Sequence, residues 1–153
     1  MKKDNIVYNA FFNKNIAFSI RLGRIILTIG SILLCFSGFA HFISFFADLA
    51  CGRIFLDDPV AWIELILQPI LYLFMVFASI GGVSFSINKG PFISLAALTA
   101  IISGIFFLIW LLFDLQNLII GGDWSNFAVS FTSIDLFLLI YFIGWFLAKD
   151  YID

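Results

Sequence analysis

Over residues 25–47 the chain carries no Asp, Glu, Lys or Arg, and the same is true of 65–85 and 92–113; a fourth run, 127–147, holds a single carboxylate, Asp135. This feature constrains the fold more than any other. The hydrocarbon core of a bilayer is about 30 Å thick and takes about 20 apolar residues in a helix. Inside it every backbone N–H and C=O must be satisfied within the segment, which selects helices for runs of this kind. A chain of 153 residues that is 63% hydrophobic and only 12% charged could not bury such runs in a water-soluble core. The expectation is an all-α integral membrane protein: four transmembrane helices in an antiparallel bundle, with both termini cytoplasmic.

The boundaries follow from local chemistry. Residues 1–24 read as a cytoplasmic leader that mixes Ile6, Tyr8, Phe11, Phe12, Ile16 and Phe18 with Lys and Asn, a composition able to lie along the membrane surface. Residues 25–147 form the membrane domain and 148–153 a cytoplasmic tail. Asp57-Asp58-Pro59 starts a helix, Asn88-Lys89-Gly90-Pro91 stops one and opens the next, and Gly121-Gly122-Asp123 marks a loop. The Lys89 turn is short enough to make the second and third spans a hairpin. Pro69, inside the second span, frees a carbonyl one turn back and is a place for a kink. Lys2, Lys3, Lys14, Arg21, Arg24, Lys89 and Lys149 fall on one side of this topology and Arg53 alone on the other, so the positive-inside bias places both ends in the cytoplasm. Trp62, Trp110 and Trp124 near the outer boundary and Trp145 near the inner one suit an aromatic belt.

Several chemistries are disfavoured. The net charge of −2 and the lack of a basic stripe argue against nucleic acid as a partner. One histidine rules out a metal site built on several imidazoles, no HExxH, GxSxG or phosphate-binding glycine loop is present, and no cofactor is implied. Cys35 and Cys51 lie sixteen residues apart, about 24 Å if helical, too far for a disulfide, and lack CxxC spacing. Asp57-Asp58 resembles the paired acids of some lipid-phosphate transferases but lacks their wider acidic motif, and reads better as a helix start.

Small and polar residues recur on single helix faces. Gly30, Ser37, His41, Ser44 and Asp48 make one stripe; Glu64, Gln68, Tyr72, Met75, Ser79, Gly82 and Ser86 make a second; Ala96, Ala100 and Gly104 a third. These are expected to face protein. Asp135 must lie within the membrane region, because a span beginning at Leu136 would reach only about 18 Å before Lys149. Its depth, about 12 Å from the outer end, matches that of His41 at about 10 Å, and Gln68 enters from the same side. A carboxylate left alone there costs about 2–3 kcal/mol or more. A polar layer of His41, Gln68 and Asp135 is therefore expected, with His41 and Asp135 in contact directly or through Gln68 or water, and with Asp48, Glu64 and Asp114 as outer contributors. That layer reads either as a register-fixing clasp or as a proton or ion pathway.

The functional expectation is a non-enzymatic accessory or interaction subunit of a membrane complex in a bacterial cytoplasmic membrane, in contact with the lipid bilayer and with another membrane protein or a second copy. The alternatives are a small oligomeric transporter or channel using the Asp135–His41 layer, and a membrane enzyme acting on lipid or quinone.

Overall fold

The described parts of the apolar runs fold as helices whose small residues meet neighbouring helices. The computed structural model describes residues 6–13, 15–52, 59–88, 92–122, 124–125 and 134–149. Among these the helices are α1 (Ile6–Phe11), α2 (Phe18–Ala50), α3 (Pro59–Ser86), α4 (Ile93–Gly121) and α5 (Leu136–Ala148), with no strand. Three segments, Phe18–Ala50, Leu65–Ser86 and Ile93–Gly121, are long and apolar enough to cross a membrane, and Leu136–Ala148 is a shorter apolar helix. Three of the expected spans therefore appear within longer helices, α2 beginning seven residues early, α3 six, and α4 running past residue 113 to Gly121, whereas the described helix of the fourth is only Leu136–Ala148. Of the fourth run, 127–133 lie outside the described residues, as do Arg53, Asp57, Asp58, Lys89, Gly90, Pro91 and Asp123.

Stops have local causes. The chain leaves α3 at Ser86, and the left-handed residue there is Asn88 (φ 51°), one of the few non-glycine types that adopts this conformation at low cost. At the far end of α4, Gly122 (φ 65°) takes the left-handed cap and its N–H donates to the Leu118 carbonyl. Pro69 sits within α3, which continues through it.

The four long helices form a ring in which α2 packs on α3 and α5, and α4 packs on α3 and α5. The α2–α5 contact is the tightest. A Cβ on Gly23 would sit 2.7 Å from the Ala148 nitrogen, and one on Gly30 2.9 Å from the Tyr141 nitrogen. Backbone therefore lies against backbone, the arrangement that small residues permit. The third stripe behaves likewise: Ala96 and Ala100 are fully buried, Gly81 of α3 approaches the Ala96 backbone, and Gly104 abuts the Phe142 ring.

The centre of the ring is not purely apolar. Leu27, Leu34, Met75, Leu138 and Tyr141 are fully buried together. The Tyr141 hydroxyl lies 2.7 Å from the Ala78 carbonyl of α3 and 2.8 Å from Thr99 Oγ1 of α4. One phenol thus joins three helices. A carbonyl only accepts, so the single phenol proton goes to Ala78 and Tyr141 accepts from Thr99. Ser31, Ser79 and Ser86 bond carbonyls of their own helices, which satisfies buried hydroxyls without a partner helix.

At the end where α2 starts and α3 and α5 finish, Arg24 is buried. Its Nη1 donates to the Ala10 carbonyl at 3.0 Å, and its own carbonyl accepts from Thr28 and, at 3.3 Å, from Ser86. Ala10 and Ile16 are buried too. The described part of the leader is therefore docked on the bundle, with α1 held by the guanidinium.

Candidate functional site

Two polar sites sit toward the opposite end, where α2 and α4 finish. The first lies between α2 and α3. His41, Ser44, Phe45 and Asp48 of α2 and Gln68 and Tyr72 of α3 line a pocket of about 170 Å³. Helical spacing explains the grouping: 41, 44, 45 and 48 share one face of α2, and 68 and 72 share one face of α3. The His41 and Tyr72 rings stack at 5.4 Å between centroids and 29° between planes, and Phe45 meets Tyr72 edge-on at 6.5 Å. The pocket is a slot with an aromatic wall, hydrogen-bond donors on His41, Ser44, Gln68 and Tyr72, and one carboxylate, Asp48.

Gln68 also lines a second, larger cavity of about 480 Å³ between α3 and α4, whose walls are apolar and include Leu71, Phe74, Phe106 and Trp110. The polar slot and the apolar groove thus meet at one side chain.

The second polar site joins α4 to the start of α5. Asp135 is only 2% exposed, and its carboxyl lies beside that of Asp114. Two carboxyls share a hydrogen bond only when one carries a proton, since an ionised carboxylate only accepts. Among the described residues neither Oδ2 has a hydrogen-bond partner. Ile134 and Asp135 lie in a π-helical turn just ahead of α5.

The expected layer is thus divided. His41 and Gln68 meet in one pocket, joined there by Asp48, whereas Asp135 meets Asp114. Glu64 falls on α3, but its side chain lies outside the described residues. No group of three or more His, Cys, Asp or Glu among the described residues could hold a metal ion. Cys35 and Cys51 lie at the middle and the C-terminal cap of the same helix, both as free thiols.

Two features went unread in the sequence, and each left a signal. Asp114 was assigned to the outside because the run 92–113 ended at it, yet Leu115, Leu118, Ile119 and Ile120 continue the apolar pattern, as a helix-internal acid requires. The seam on the last helix is visible as Asp135, Leu138, Tyr141, Gly144 and Ala148, all buried, at spacings of three and four. No known protein family, curated protein or solved structure matches this chain at a significant level.

Proposed function

We propose that the chain is a four-span protein of a bacterial cytoplasmic membrane, with both termini on the cytoplasmic side, and that it serves there as a non-enzymatic interaction subunit of a larger membrane complex. The observation that supports this most is the bare apolar end of α4. Twenty-nine residues rise about 43 Å, against a hydrocarbon core of about 30 Å. A tilt of about 20° absorbs only a few ångströms of that excess. The excess, residues 114–121, mixes Asp114, Gln116 and Asn117 with apolar side chains, and of these Ile119 and Ile120 are 82% and 76% exposed. Apolar side chains held beyond the lipid favour a protein cover, either another membrane protein or a second copy.

Tagged chain extracted from its native membranes in mild detergent is expected to carry a stoichiometric partner, or to run as an oligomer. The double variant Ile119→Glu/Ile120→Glu is expected to release it while the bundle still melts normally. A chain that leaves the membrane alone, or a partner indifferent to both charges, overturns the reading.

The orientation has its own check. Cys51 is exposed at the end of α2. In intact cells a membrane-impermeant maleimide is expected to label Cys51, whereas Lys89→Cys in a Cys51→Ser background labels only after the membrane is opened. Labelling of both positions from the same side would contradict the topology.

A second reading, a small oligomeric carrier or channel, draws on the Asp114–Asp135 pair. A pair of carboxyls set between packed helices is the kind of group that exchanges protons along a pathway.

A further inference from the structure

We infer that the slot between α2 and α3 and the groove between α3 and α4 form one binding site for a lipophilic quinone: the ring in the slot, the hydrocarbon tail in the groove. The two cavities share Gln68, and their volumes of about 170 and 480 Å³ match a compact head and a longer apolar chain. Together they fall within the usual range for small-molecule sites, about 300–1,000 Å³.

The chemistry of the slot selects the head. Its donors, the His41 imidazole, the Gln68 amide and the Ser44 and Tyr72 hydroxyls, suit ring carbonyl oxygens, and the Asp48 carboxylate suits a hydroxyl of the reduced ring. Among the described residues that line the slot none is Lys or Arg, so a neutral head suits it better than a phosphate or carboxylate beside Asp48. The near-parallel His41 and Tyr72 rings offer a flat face on which a planar head stacks. The groove then receives the tail against Leu71, Phe74, Phe106 and Trp110. Sideways entry from lipid rests on the membrane placement proposed above; occupancy of the site does not require the partner complex.

Trp110 is a built-in reporter, because a quinone seated beside an indole quenches its fluorescence. The full chain, purified in dodecyl maltoside and titrated with decylubiquinone, is expected to show saturable quenching that disappears in Trp110→Phe. Gln68→Leu and Tyr72→Phe are each expected to weaken binding by about tenfold, the loss of one hydrogen bond to the head. Tyr72→Phe removes one oxygen only, so it keeps the test valid if Gln68→Leu misfolds. Quenching that rises linearly without saturation, or that is the same in Trp110→Phe or in both slot variants, overturns the site. Displacement of the bound quinone by equimolar palmitate or dioleoylphosphatidylcholine also overturns it, since an acyl lipid is then the natural occupant. Because the measurement uses isolated chain, it can fail while the partner prediction stands, and the reverse.

Discussion

Gly144→Leu is expected to yield no folded, monodisperse protein, and Gly144→Ala to lower the thermal midpoint in detergent more than any other single-methyl addition in the chain. A Cβ at Gly144 runs into the Leu27 backbone nitrogen, and would lie 2.6 Å from the Leu27 Cα and 2.9 Å from the Ile26 carbonyl carbon. All three are main-chain atoms. Overpacking against side chains typically costs about 1–3 kcal/mol, because rotamers shift to make room. Here no rotamer can shift, and α5 must move bodily off α2. That movement would also disturb Tyr141, whose hydroxyl reaches both α3 and α4 from the same helix. Gly121→Ala is the control: nothing lies within 4 Å of its added methyl, at the exposed end of α4. There the gain in helix propensity, about 1 kcal/mol at most, favours alanine. Melting of both alanine variants, followed by circular dichroism and size exclusion, decides the matter. If Gly144→Ala melts with the wild type, the close α2–α5 approach is absent from the protein.

The contrast between these two glycines shows what periodicity can convey. Of the α2 stripe, Gly30 and Ser37 are buried, whereas farther along His41 and Asp48 are half-buried and Ser44 is exposed. The stripe through Met75, Ser79, Gly82 and Ser86 on α3 is buried. Helix existence and inward faces are local properties, written at spacings of three and four. Which helix each face meets is not local. Depth alone aligned His41 with Asp135, because rise per residue fixes height but says nothing of azimuth around the ring. His41 faces Tyr72 on α3, whereas Asp135 faces α4. The first charge beyond an apolar run does not mark a helix end. Arg24 and Asp114 both lie inside helices, buried or half-buried, where a long guanidinium or a second carboxyl offsets the cost that would otherwise end the run.

The carboxyl pair supplies the second large effect. Asp135→Leu is expected to destabilise the bundle by about 1–3 kcal/mol, because Asp114 keeps its burial and loses its polar neighbour. Asp114→Leu should do the same to Asp135, which is the more buried of the two. Replacing both removes the polar groups together and leaves leucines facing each other, so the double variant should lose less than the sum, with a coupling of about 0.5–3 kcal/mol. Thermal or denaturant unfolding of the four proteins in one detergent measures that coupling, and strictly additive losses would mean the two side chains do not meet. Asparagine separates a clasp from a pathway. The amide of Asp135→Asn still donates to the Asp114 carboxylate, so stability should stay near that of the wild type, but an amide cannot take up and release a proton in this range. In liposomes carrying a pH-sensitive dye, a carrier that works through this pair would therefore lose proton flux in a variant that remains folded. Flux retained by Asp135→Asn removes the carrier reading and leaves the pair as a bolt between α4 and α5. That outcome would match an interaction subunit, whose task is to present a rigid outer surface rather than to move an ion through its centre.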